Sequence, residues 1–173
     1  MQHIGTSNYN SSGDISFNSI GDKFALCGWG NYLGLFDFNR CSGLISNEIL
    51  IESNGIIHPF RWYTSVVFSP DGSKLYVNSS QDAYQKVESY QFDLNASNIH
   101  ASRILIDSFP VNADTWFMES GPDGKIYISA LERNGCTYPW PRVVLPPSIQ
   151  TLVSSTILIV QEQLVISSNS VLI

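Results

Sequence analysis

Two stretches of this chain spell nearly the same corner: FSPDGSKLYV at 68–77 and SGPDGKIYI at 120–128. A looser copy, FNSIGDKFAL, precedes them at 17–26. Gly72 follows Gly21 by 51 positions, and Lys125 follows Lys74 by 51. Pro122 follows Pro70 by 52, so the last copy has lost one residue inside the turn. The similarity continues downstream, where FDFNRCSGLISNEILI (36–51) runs parallel to FDLNASNIHASRILI (92–106) with one deletion. Asp37 falls on Asp93, Asn39 on Asn95, and Ile49-Leu50-Ile51 on Ile104-Leu105-Ile106. Two long segments repeating in the same order mark a repeat architecture, in which each unit is a small motif that needs its neighbours to bury its apolar surface.

Each unit reads as four short strands, in the second unit at roughly 64–68, 74–79, 87–93 and 103–107. Thr64, Val66 and Phe68 fall on one face of the first of these, with Ser65, Val67 and Ser69 on the other. Ser-Pro-Asp-Gly then fits a type I turn, with Pro70 presetting φ at the second position and Gly72 at the end of the bend. Four antiparallel strands per unit of about 40–50 residues is the blade of a β-propeller. The expected fold is therefore all-β, a partial β-propeller of about two and a half four-stranded antiparallel blades over residues 13–135. Residues 136–173 do not repeat. This apolar tail offers strands at 151–160 and 163–167, or is the end of a truncated reading frame.

Composition agrees with a β-rich chain. Charged residues are 14%, below the roughly 25% of ordinary globular chains, while aromatic residues reach 12%. The net charge of −6 and the lack of any Lys/Arg cluster argue against nucleic acid and against an anionic membrane surface. The uncharged stretch 143–161 is broken by Pro146, Pro147 and several Ser and Thr residues, so no membrane insertion is expected. The first residues, MQHIGTSNYNSSGD, lack the basic and apolar regions of a signal peptide. Cys27, Cys41 and Cys136 show no metal-ligand spacing and read as packed or free thiols, with a Cys27–Cys41 bridge as the alternative.

Candidate sites follow from position in the repeat. Asp71 and Asp123, with Asp22 at the equivalent corner, form a carboxylate set that is either turn architecture or a metal loop. The turn reading needs no ligand, and a single SPDGSK loop supplies too few oxygens for calcium. Of His3, His58 and His100, only His58 precedes the first strand of a unit. With Asp14, Arg61 and Asp114 it is a channel-side candidate, but the four make no recognisable catalytic set. No catalytic residue, metal or cofactor is therefore expected. Trp62, Tyr63 and Trp116, in HPFRWYT (58–64) and NADTWF (112–117), lie just before the innermost strands of two units. They are either a rim platform for a sugar or peptide, or inter-blade core.

The phrases FSPDGSKLYV, YQFDLNAS and GPDGKIYI resemble the propeller repeats of large secreted and cell-surface proteins of Bacteroidetes, and more distantly WD40-like and lactonase-like propellers. The resemblance covers residues 13–131 and implies an extracellular or cell-surface location. It implies a non-enzymatic scaffold or interaction module that binds protein or glycan through rim loops, using Trp62, Tyr63, Trp116 and His58. A fragment of a lactonase-like hydrolase is the alternative. A propeller closes with four or more blades, so the remaining blades are expected from a longer chain or from self-association.

Overall fold

The repeated corner is a hairpin turn built three times with the same hydrogen bonds. In a computed structural model, residues 2, 13–28, 32–52, 61–81, 86–109, 113–132 and 149–153 are described. Gly21, Gly72 and Gly124 hold φ values of 68°, 72° and 76°, a region that only glycine occupies without strain. Their N–H groups donate to the carbonyls of Asn18, Ser69 and Gly121 at 2.9, 2.8 and 3.1 Å. The turns close with Asn18 N–H on Lys23 O, Ser69 N–H on Lys74 O and Gly121 N–H on Lys125 O. The third closure spans one residue fewer, which is the deletion visible in the sequence. Successive turns also adjoin: a Cβ built on Gly72 would lie 3.9 Å from the Asn18 amide, and one on Gly124 would lie 3.9 Å from Pro70.

The turns join the first two strands of three units. The first sheet is β1 (Gly13–Phe17), β2 (Lys23–Gly28), β3 (Tyr32–Asn39) and β4 (Leu44–Glu52), paired antiparallel in chain order. The second is β5 (Arg61–Phe68), β6 (Lys74–Gln81), β7 (Lys86–Asp93) and β8 (Ile104–Phe109), paired in the same way. Lys23 stands opposite Asp37 across β2–β3, and Lys74 stands opposite Asp93 across β6–β7. Both pairs form ion pairs, so the repeat extends to the third strand. Among the described residues the single helical piece is a 3₁₀ turn at His100–Ser102.

The third sheet departs from the pattern. β9 (Ala113–Ser120) and β10 (Ile126–Glu132) pair antiparallel, but β11 (Ile149–Val153) joins β10 in parallel, Ile126 opposite Ile149. A parallel neighbour needs a long crossover, and the sixteen positions between Glu132 and Ile149 supply one, where the other units have a short hairpin. The expected strand at 151–160 is thus observed from 149 to 153; its remaining positions and the one expected at 163–167 lie outside the described residues. The described residues are all-β, and none of the three sheets they form closes on itself.

The sheets stack face to face in chain order. Ala25, Cys27, Leu33 and Leu35 of the first sheet pack against Val66, Phe68, Leu75, Val77 and Phe92 of the second. The other face of the second sheet, Val67 and Tyr76, packs against Met118, Ile126 and Ile128 of the third. The alternation read from the sequence therefore holds from Ser65 onward, but both faces are interior: Val66 is 1% and Val67 4% exposed. One residue escapes the alternation. The register slips between Tyr63 and Ser65, and this bulge turns Tyr63 onto the face of Val66 and Phe68. The Cys27–Cys41 alternative is corrected, because Cys27 is a buried strand residue and Cys41 lies exposed in the β3–β4 turn, both as free thiols.

Gly72→Ala tests whether the corner is conformationally demanding. The added methyl meets no close neighbour, so the cost is that of the left-handed backbone alone, about 1–2 kcal/mol. A lower urea midpoint of that size is expected, with Gly72→Asn intermediate. An unchanged midpoint for Gly72→Ala would mean the turn relaxes freely.

Candidate functional site

The turn carboxylates serve their own corners. Asp71 accepts hydrogen bonds from Ser69 Oγ at 2.6 Å and from the Ser73 N–H at 2.9 Å. Asp123 accepts from Tyr127 Oη at 2.8 Å and pairs with Lys125 at 2.7 Å. Asp22 Oδ1 accepts from the Asn18 side-chain amide at 2.7 Å. Hydrogen bonds from Ser69 hold the Asp71 carboxyl below its ordinary range, and those from Lys125 do the same for Asp123. Lys23 and Lys74 lower Asp37 and Asp93 likewise. Among the described residues no three His, Cys, Asp or Glu side chains lie close enough to share a metal ion. No helix among them is long and apolar enough to cross a membrane.

The first strands of the three units, β1, β5 and β9, lie side by side and are joined by a chain of polar contacts. Asp14 Oδ2 accepts from Ser65 Oγ at 2.6 Å and from the Val66 N–H at 3.1 Å. Ser65 Oγ in turn accepts from the Met118 N–H at 2.8 Å. Asp14 and Ser65 hold the same place in successive units, and so do Val66 and Met118. One side chain per unit thus receives a backbone N–H of the next unit. Asp14 was a channel-side candidate, and its carboxylate is committed to this link. The buried Cys27 beside it is poorly suited to nucleophilic chemistry, since burial pushes its thiol up to about 12.

A second polar cluster joins the first two sheets where β4 ends. Glu52, 9% exposed, accepts from Arg103 Nη1 at 3.0 Å and from the phenol of Tyr63. His100 Nδ1 lies 3.6 Å from the same carboxylate and 3.2 Å from the Ile51 carbonyl oxygen. The Arg103 guanidinium also sits 5.1 Å from the centre of the Tyr90 ring, a cation–π contact. These groups satisfy one another. Sequence reasoning passed over Glu52 and Arg103, and the available signal was a charge ending one apolar strand, Glu52 after Ile49-Leu50-Ile51, and another opening the next, Arg103 before Ile104.

The aromatic candidates separate. Tyr63 is fully enclosed between the first two sheets and bonded to Glu52, so as placed it is core and no rim platform. Trp62, its neighbour on β5, is half-buried. The backbone of Trp116 lies in β9, while its side chain is outside the described set, as are those of Arg61 and Asp114. His58 lies wholly outside the described residues, as does His3. Toward the β5 end that carries Trp62, the enclosed side chains of the second sheet include six polar ones, Ser65, Asn78, Ser79, Ser80, Glu88 and Ser89, beside Tyr63 and Val87. Ser80 stands directly opposite Trp62 across β5–β6. Ser89 Oγ meets Asn78 Oδ1 at 2.5 Å, and among the described residues Asn78 Nδ2 and the Ser79 and Ser80 hydroxyls have no partner.

The outer face of the first sheet carries an aromatic cluster built on Phe24, Tyr32 and Phe36. Phe24 stacks on Phe36 at 4.8 Å and 10°, and Phe17 meets Phe38 edge-on at 5.2 Å. Leu26, Phe38 and Ile45 pack around this cluster, and above it Ile15 and Phe17 remain 54% and 49% exposed. Gly34 makes the cluster possible, since a Cβ there would lie 2.5 Å from the Tyr32 hydroxyl. No protein-family model matches the chain, and no curated protein matches it.

Two outcomes follow from this geometry. Asp14→Ala leaves the buried Val66 N–H without an acceptor and is expected to cost about 1–3 kcal/mol, with Asp14→Asn costing less because one oxygen can still accept. Additive effects of Asp14→Ala and Ser65→Ala in a double-mutant cycle would mean the two are not coupled. The acid limb of stability is the second outcome. Asp37, Asp71, Asp93 and Asp123 stay ionised in the fold to lower pH than in the unfolded chain, where aspartate titrates near about 3.9. Their contribution is present above that value and is lost as pH falls through their folded values, whereas Asp107, raised by burial, works in the opposite sense. The urea midpoint is expected to hold from about pH 7 to about 5 and to drop below about 4, with a flatter acid limb in Asp37→Asn/Asp93→Asn.

Proposed function

We propose that the chain is part of a β-propeller and acts as a non-enzymatic scaffold or interaction module of a secreted or cell-surface protein, binding protein or glycan at its rim. The observation that carries this reading is the side-by-side array of β1, β5 and β9, in which Asp14 and Ser65 each receive a backbone N–H of the next unit. Units that meet through their first strands, repeat the same outward turn and stack in chain order support a reading as blades around an axis. The resemblance of FSPDGSKLYV and GPDGKIYI to surface-protein repeats supports the location.

The rim is assigned to the strand ends that carry Trp62 and Trp116. Trp62 is half-buried and stands opposite the enclosed Ser80, an aromatic beside a polar group that suits the stacked face and hydroxyl edge of a sugar or an extended peptide. The polar clusters at Glu52 and Asp14 are occupied by inter-sheet contacts, which favours a binding role for this module over a hydrolytic one.

Tryptophan fluorescence of the full chain, titrated with a panel of soluble oligosaccharides and peptides, tests the rim. Trp62→Ala and Trp116→Ala are each expected to weaken binding roughly 3- to 10-fold, the scale of one aromatic stacking contact. Binding unchanged in both variants would move the site elsewhere. A crystal structure in which successive sheets do not rotate about a common axis would remove the propeller.

A further inference from the structure

The acceptor pattern for an N-linked glycan is asparagine, then any residue but proline, then serine or threonine. The chain carries it at Asn10-Ser11-Ser12, Asn78-Ser79-Ser80 and Asn95-Ala96-Ser97. Three residues match such a pattern easily by chance, so position in the fold has to separate them. The first triplet lies outside the described residues. The second lies inside β6, where Asn78 and Ser79 are fully enclosed and Asn78 Oδ1 meets Ser89 Oγ. A transferase cannot reach it while the second sheet is formed.

The third triplet lies in the turn after β7, with Asn95 and Ser97 both exposed. This turn is held without either side chain. The Asn95 N–H donates to Asp93 Oδ1 at 3.0 Å and the Ala96 N–H to Asp93 O at 3.2 Å. Asp93 is fixed in turn by Lys74. Among the described residues no hydrogen bond reaches the Asn95 carboxamide or the Ser97 hydroxyl. The repeat supplies a contrast. Asn39 holds the same place in the first unit, but its Oδ1 accepts from the Cys41 and Ser42 N–H groups, each at 3.0 Å. No hydroxyl stands two positions after it.

We propose that Asn95 is an acceptor for an N-linked glycan. The donor is a glycan joined through a diphosphate to a lipid carrier, and a transferase of the cell supplies the base. Asn95 Nδ2 forms a bond to the anomeric carbon, and the bond from that carbon to the diphosphate breaks. The diphosphate leaves with the electron pair, and Nδ2 gives up one proton to the base. Ser97 offers the hydroxyl by which the triplet is recognised. Asn95 and Trp62 lie at opposite ends of the second sheet, since Ser80 pairs with both Trp62 and Val87 at the start of β7. A glycan at Asn95 therefore leaves the rim open. The proposal rests on the secreted or cell-surface location and not on rim binding.

The folded full chain, incubated with a purified oligosaccharyltransferase and its lipid-diphosphate-linked glycan, tests Asn95 apart from location. A tryptic digest of the same chain serves as the unfolded substrate, and peptide mass spectrometry maps the products. A glycan is expected at Asn95 of the folded chain and at Asn78 in the digest alone. Asn95→Gln and Ser97→Ala are each expected to lose the Asn95 glycan while keeping the wild-type urea transition. A folded chain without glycan at Asn95 overturns the proposal, whatever the digest shows. So does a glycan that survives Ser97→Ala, or one on Asn78 of the folded chain. Location is read separately by fractionating the cells that make the protein. A chain confined to their interior overturns the surface reading, and with it modification in the cell, even where transfer to the purified chain succeeds.

Discussion

The second sheet is apolar on both sides, and the rest of the structure answers to that. Val66 and Val67 are consecutive on β5, point to opposite faces, and are both closed off from water. A strand in this position cannot lie on a surface. It needs a sheet on each side, and the first and third units supply them. Each large aliphatic or aromatic side chain buried this way contributes on the order of 1.5–3 kcal/mol, so the three units stand together more firmly than any would alone. On the outer sides of the first and third sheets the burial is less complete, with Phe17 49% and Phe117 65% exposed.

Apolar burial does not select a register, because it is proportional to area and has no direction. The polar contacts between sheets do. Asp14 reaches Ser65 and Val66, and Ser65 reaches Met118, each at a place fixed by hydrogen-bond geometry. Glu52 draws Arg103 and Tyr63 together at another point of the first interface. A slip between units would strand these groups in a region where an unpartnered donor or charge is costly. The glycine turns act on the outside in the same sense, each corner lying against the one before it.

Most of the local structure was legible in the sequence. The 51-residue spacing located the corners and the strands on either side of each turn, while the pairing of Lys23 with Asp37 and of Lys74 with Asp93 came from the structure. The lost residue in the third corner appears as a shorter closing hydrogen bond span. The candidate site was legible only in outline. Trp62 and Tyr63 were both read as lying just before the strand, whereas β5 begins at Arg61 and a bulge turns Tyr63 inward. Glu52 went unnoticed because it lies just past the repeated segment, and Arg103 because its partner lies in another unit.

What the sequence alone determined is what depends on neighbours along the chain: where the backbone bends, which residues alternate, and which glycines must turn left-handed. Those properties come from φ preferences and a period of two, and both act within a few residues. Only the tertiary structure decided that Tyr63 faces inward, that Asp14 is a link between units, and that β11 enters in parallel. A single bulge reverses a side chain, and a contact between units joins residues about fifty positions apart through geometry that no local pattern carries.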